Sequence, residues 1–160
     1  MRHISLYVVA VILLLGACRQ DVVFEQKNAV PQQLWQYNQP IQFSFDISDT
    51  TILYNILLDI HHNMNYPYQN IYTIITTTYP NNTQQREQLS LELSEKKDVW
   101  SSDCSDTDCY LTIGLQQNAY FNQLGKHTIT LEQYTRQDSL PGIVDLTLRI
   151  EKSEKKKAIK

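Results

Sequence analysis

Glycine is scarce: the 160 residues contain four. Beyond Gly16 these are Gly114, Gly125 and Gly142, and none stands in a phosphate-cradling cluster or a Gly-x-Ser-x-Gly elbow. Nucleotide-binding and α/β-hydrolase chemistry therefore have no loop to work from. Cysteine is limited to Cys18, Cys104 and Cys109, too few without a nearby second pair for a tetrahedral zinc site. Basic charge is short as well. Fourteen Lys and Arg face 17 Asp and Glu, a net charge of -3, and Arg2 is the one cation of the first 17 residues. Phosphate backbones demand a concentrated basic surface, so nucleic acid is not expected as a partner. Past Leu15 no long apolar run occurs, and a bilayer-spanning helix needs about 20 such residues.

What is present favours one folded, all-β domain. Apolar residues make up 42% and charged ones 19%, enough for a core and too little charge for a disordered chain. Ten tyrosines and runs of Thr, Ile and Val suit pleated, half-buried surfaces. The length allows a single compact domain, here expected over residues 40–152.

The first 17 residues read as an export signal. Arg2 and His3 precede an apolar run from Ile4 to Leu15, which ends in Leu15-Gly16-Ala17-Cys18. The run is too short to span a bilayer, and small residues just before a cysteine suit cleavage. The last four residues resemble the lipobox of bacterial lipoproteins, which implies acylation of Cys18. Two or three acyl chains there would bind the membrane almost permanently. Residues 18–39 are then expected to form a polar tether and a first edge strand at Val22-Val23-Phe24. A long acidic run after the cysteine is missing, which sets the expectation at the outer membrane, facing the periplasm.

Export implies an oxidising compartment, so Cys104 and Cys109, in Asp103-Cys104-Ser105-Asp106-Thr107-Asp108-Cys109, are expected to form a disulfide. The neighbouring carboxylates would raise a thiol pKa, the wrong direction for a reactive thiolate. The loop also lacks the glycine and closing glutamate of a calcium-binding EF-hand, and reads as a solvated turn. His61 and His62 are adjacent on a strand and point to opposite faces, so no shared metal is expected; a partly exposed pair is. Arg136, Asp138 and Asp145 flank Leu140-Pro141-Gly142 and read as an electrostatic clamp rather than an acid/base pair. No catalytic residue, metal or cofactor is expected.

Alternation places the strands. Ile41, Phe43, Phe45 and Ile47 share one face, as do Tyr54, Ile56, Leu58 and Ile60. Ile71 to Tyr79 and the alternating Leu89, Leu91 and Leu93 flank the turn signal Pro80-Asn81-Asn82 and read as a hairpin. Tyr110 to Leu115, His127 to Tyr134 and Val144 to Ile150 add further strands, with a helical turn expected at Asn118 to Leu124. Strands at this spacing point to an antiparallel β-sandwich, immunoglobulin-like or jelly-roll-like, of about seven to nine strands. Residues 153–160 read as a charged, flexible tail.

Three segments carry a resemblance: Phe43 to Thr50, Asn65 to Tyr72, and Leu140-Pro141-Gly142-Ile143-Val144-Asp145-Leu146-Thr147-Leu148-Arg149-Ile150-Glu151-Lys152. In order and spacing they resemble the GldH family of gliding-motility lipoproteins of Bacteroidetes, from about Cys18 to Lys152. Cys104 to Cys109 departs from that pattern. The resemblance implies an envelope lipoprotein needed for surface gliding and associated with the type IX secretion apparatus, with no enzymatic activity assigned. Its expected partners are the membrane, through the lipid anchor, and other envelope motility or secretion proteins.

The residues add a candidate contact. Tyr66, Pro67, Tyr68 and Tyr72 gather large semi-polar side chains around a loop, as a protein-contact or glycan-contact surface or as a cap on the core. A carbohydrate- or surface-ligand-binding module is the alternative function; a concave groove lined by aromatics and acids would favour it, and a flat apolar patch would favour the interaction role. Asp49-Thr50-Thr51 and Asp138-Ser139-Leu140 resemble short O-glycosylation sites of exported proteins.

Overall fold

A computed structural model describes residues 21–96, 99–101 and 103–155. The export signal, Cys18 and residues 156–160 lie outside the described residues. Among those described, no helix is long and apolar enough to cross a membrane.

Two antiparallel sheets form a sandwich. The first orders its strands β1 (Val22–Ala29), β13 (Ile143–Lys152), β4 (Tyr54–Asn63), β10 (Asp108–Ala119) and β9 (Asp103–Cys104). The second orders β3 (Ile41–Ile47), β11 (Gly125–Gln133), β5 (Asn70–Thr78) and β6 (Gln84–Glu92). Two short ladders complete it: β2 (Leu34–Gln36) with β12 (Ser139–Pro141), and β7 (Ser94–Lys96) with β8 (Val99–Trp100). This is the all-β sandwich expected from alternation, with nine strands in its two main sheets.

The core forms where the alternating faces meet. Phe43, Phe45 and Ile47 of β3, Leu58 and Ile60 of β4, and Leu146, Leu148 and Ile150 of β13 are buried. Removing a Leu or Ile from water contributes about 1.5–3 kcal/mol per side chain, which holds each strand in register. The β5–β6 hairpin forms at Pro80-Asn81-Asn82 as expected. Asn82 takes a left-handed φ of 63°, and the Asn81 carboxamide accepts from the Thr83 backbone and hydroxyl.

Three expectations are corrected. No helical turn forms at Asn118 to Leu124: β10 runs on to Ala119, and Phe121 folds inward against Tyr54, Phe45 and His127. Burying that ring outweighs the weak helical tendency of a short polar stretch. Trp35 is not part of a tether. It is 1% exposed, because β2 pairs it with Leu140 on β12 and its indole donates to the Gln39 carbonyl. The edge strand β1 is also longer than Val22-Val23-Phe24 and pairs with β13 as far as Ala29.

Register gives the sandwich two distinct ends. Val22 lies opposite Glu151, and Lys152 opposite Tyr54, at the end where the described chain enters. Ala29 lies opposite Asp145, and Ile143 opposite His62, at the other end. The β4–β5 loop, the β2–β12 ladder and the cysteine loop all belong to that second end.

Candidate functional site

The β4–β5 loop carries the chain from one sheet to the other, and an asparagine sets its shape. Asn63 accepts the amide of Asn65 on its side-chain oxygen and that of Tyr66 on its carbonyl. Its own backbone N–H donates to the Gly142 carbonyl, and its side-chain amide donates to Gln33. The loop is thus fastened to the Leu140-Pro141-Gly142 turn. Two of the three segments behind the resemblance meet here, although 67 residues, 73–139, separate them.

The tyrosines of the loop divide. Tyr66 is 2% exposed; its hydroxyl donates to the Asn70 carbonyl, and its ring packs against His62 and Tyr68. Burial pushes its phenol far above the ordinary tyrosine range, with the neighbouring Tyr68 adding to the shift. Tyr66 is therefore a cap on the core and not a contact residue, because a ring with no accessible surface cannot meet a partner. Pro67, Tyr68 and Tyr72 are exposed.

Tyr68 and Tyr72 form one wall of an open groove of about 690 Å³, completed by Asn70, Tyr134, Thr135, Arg136 and Gln137 around Leu140. The far wall is braced from below. Gln133 is 1% exposed; its carboxamide oxygen accepts from the amide and hydroxyl of Thr135, and its nitrogen donates to the Gln137 carbonyl. The Tyr134 amide donates to the Tyr72 carbonyl at 2.7 Å. A buried amide thus orders the backbone of this wall, which loses little further freedom on contact with a ligand. Tyr134 and Gln137 were absent from the sequence-based candidates, and Arg136, expected in a clamp with Asp138 and Asp145, lines the groove instead.

The disulfide between Cys104 and Cys109 is present, with Cα atoms 4.0 Å apart. Disulfide-bonded cysteines commonly have Cα atoms about 5.5 Å apart. The pair is closer because the two residues face each other across the β9–β10 ladder. Cys109 is fully buried, with Met64 sulfur 3.3 Å away, while Cys104 is exposed.

The histidines are not a partly exposed pair. His62 is fully buried, and burial lowers its imidazole pKa. His61 lies on the outer sheet face, stacked on Tyr110 at 4.3 Å. Its Nδ1 is 2.9 Å from Asp145 and its Nε2 is 2.8 Å from Asp108. Both ring nitrogens are thereby occupied. Asp145 also accepts from Lys27, so it is committed to β1 and β4 rather than to the expected clamp with Arg136. Two pairings along the same face extend this network: Arg149 forks onto Asp59 and donates to the buried Glu151.

The two packed sheets, the capped end and the groove over it define an antiparallel β-sandwich with an aromatic surface held on a rigid frame. The chain belongs to the GldH lipoprotein family, which it matches over residues 22–150. It is 23% identical over 150 residues to the gliding motility lipoprotein GldH homolog of Christiangramia forsetii, covering 89% of this chain and 91% of that protein. It is 22% identical over 153 residues to the gliding motility lipoprotein GldH of Flavobacterium johnsoniae, covering 89% and 92%.

Proposed function

We propose that this chain is a lipid-anchored interaction component of the gliding-motility envelope machinery, associated with type IX secretion. In this reading Cys18 holds it at the outer membrane, facing the periplasm, and the groove docks another envelope protein. The observation that carries the docking role is the triad of exposed tyrosines, Tyr68, Tyr72 and Tyr134, 37%, 56% and 47% accessible, around a braced groove. Aromatic side chains on a preordered frame are the usual anchors of protein interfaces. The anchoring role rests on the lipobox-like Leu15-Gly16-Ala17-Cys18 and on family membership. No enzymatic step is assigned.

A photo-crosslinking amino acid at position 72 or 134, in the full-length lipoprotein in living cells, is expected to trap a defined envelope protein, and Tyr72→Ala with Tyr134→Ala is expected to impair gliding. Equal crosslinking from Tyr110, an exposed residue on the outer sheet face, would remove the groove from the function.

A carbohydrate-binding role is the second reading, because exposed tyrosines beside Asn70 and Gln137 suit sugar rings and hydroxyls. Among the described residues no acid lines the groove, whereas Arg136 does. Binding of neutral oligosaccharides by calorimetry, abolished by Tyr72→Ala, would support this reading over the first.

A further inference from the structure

The end of the sandwich opposite the groove has a surface chemistry of its own. β10 and β11 are joined there by residues 120–124, in which Phe121 is buried while Tyr120 and Leu124 are 49% and 61% exposed. Lys126, two residues on, is exposed. Lys152 closes β13 at the same end; its amide donates to the Asp21 carbonyl at 3.0 Å, and its exposed ammonium lies 3.6 Å from the Asp21 carboxylate. The chain continues along this end. The Ser153 amide donates to the Leu53 carbonyl, its hydroxyl to Asn118, and the amide of exposed Lys155 to the Ser153 hydroxyl.

Chain length decides what lies against this end. Asp21 is three positions from Cys18, and three residues reach at most roughly 11 Å. If Cys18 is acylated, as proposed above, the bilayer surface is within that distance of Asp21. The lysines fit such a surface. Among the described residues Lys126, Lys152 and Lys155 stand against the carboxylates of Asp21, Asp46, Asp49 and Glu154, and the basic excess comes from Lys156, Lys157 and Lys160, which follow in the sequence outside the described residues. An exposed aromatic and an exposed Leu among cations is the combination that enters a lipid headgroup region.

We propose that the end face carrying Tyr120, Leu124, Lys126, Lys152 and Lys155 lies directly on an anionic phospholipid surface. The lipid anchor and the end face then act together, and the protein stands upright. The ten residues of β13, at 3.2–3.4 Å each, lift the tyrosine groove roughly 30 Å above the headgroups, clear of the bilayer and open to a partner.

The test uses the mature-length chain carrying Cys18→Ser, so that no acyl chain contributes, and vesicles of phosphatidylcholine with or without one-third phosphatidylglycerol. Binding is expected to the anionic vesicles only. A lysine near an anionic surface strengthens partition roughly fivefold, so Lys126→Gln, Lys152→Gln and Lys155→Gln together are expected to weaken it by at least about tenfold. Leu124→Ser is expected to weaken it in the same assay, and Tyr72→Ala with Tyr134→Ala to leave it unchanged. Failure to bind, equal binding to neutral vesicles, equal loss from the groove variant, or a dimer lost with Leu124→Ser in lipid-free solution would each overturn the proposal. Acylation of Cys18 is read separately, by mass spectrometry of the lipoprotein from cells, so the anchor and the end face fail independently.

Discussion

Gly142 and Tyr66 approach so closely that a Cβ on the glycine would sit 3.2 Å from both the Cα and the backbone nitrogen of Tyr66. The same atom would lie 2.8 Å from the Asn63 side-chain oxygen, and Gly142 adopts a left-handed φ of 89°. This contact locks the β4–β5 loop onto the β12–β13 turn beneath the groove. Gly142→Ala is therefore expected to cost about 1–3 kcal/mol, from backbone strain and displaced neighbours. Urea unfolding measures it, and a variant as stable as the parent would show that the two segments are not locked together.

The tyrosines are expected to separate in a stability assay. Tyr66→Ala should cost about 3–5 kcal/mol, the range for deleting a buried ring. Tyr66→Phe should cost about 1–2 kcal/mol, for the hydroxyl that satisfies the Asn70 carbonyl. Tyr72→Ala and Tyr134→Ala should each stay within about 0.5 kcal/mol of the parent while reducing partner capture. Melting curves beside crosslinking yields make the comparison; a strongly destabilised Tyr72→Ala would turn the groove wall into packing.

Much of the sandwich was legible because the side-chain period of a strand is local. Phe43, Phe45 and Ile47, or Leu146, Leu148 and Ile150, declare their buried face without reference to any neighbour. The opposite face of β13 was not legible. Asp145, Thr147 and Glu151 are 8%, 6% and 2% exposed, because β13 lies between β1 and β4 and its polar residues are covered by their neighbours. Which residues flank a strand is a long-range fact. The same holds for the groove, where antiparallel pairing of β5 with β11 brings Tyr134 to Tyr72. Nothing near Tyr134 in the sequence signals that meeting. Trp35 fell within the stretch 18–39 expected as a tether, because a three-residue strand leaves no room for a period to show.

Removal of the disulfide is expected to be tolerated. Cys104 and Cys109 enclose a short loop, for which loop-closure entropy gives a stabilisation of about 2 kcal/mol or less. Cys104→Ala with Cys109→Ala is the suitable pair, because a hydroxyl at buried position 109 would add a separate desolvation cost. Thermal unfolding with and without reductant tests this. Two free thiols in protein from intact cells, by mass spectrometry, would dismiss the bond itself.

The last prediction concerns pH. His62 is fully buried in the folded chain, and burial, more than the neighbouring His61, lowers its imidazole pKa below the ordinary 6.5. The unfolded chain therefore takes up a proton at this site at higher pH than the folded chain does. Its contribution to stability is complete above about 6.5 and is lost as pH falls below that value toward the folded pKa. Asp49 and Asp108 act in a lower window. Hydrogen bonds, chiefly from Thr51 and Thr107, hold both carboxyls below the ordinary 3.8, so their contribution is lost only once pH drops under that value. Urea midpoints are thus expected to fall already between neutral and mildly acidic pH and to fall again in strong acid. His62→Gln should flatten the first decline whatever its effect on absolute stability, since it removes the titrating group. Titration of the His62 ring by NMR decides the matter, and an imidazole pKa above 6.5 in the folded protein would reverse the sign of the first effect.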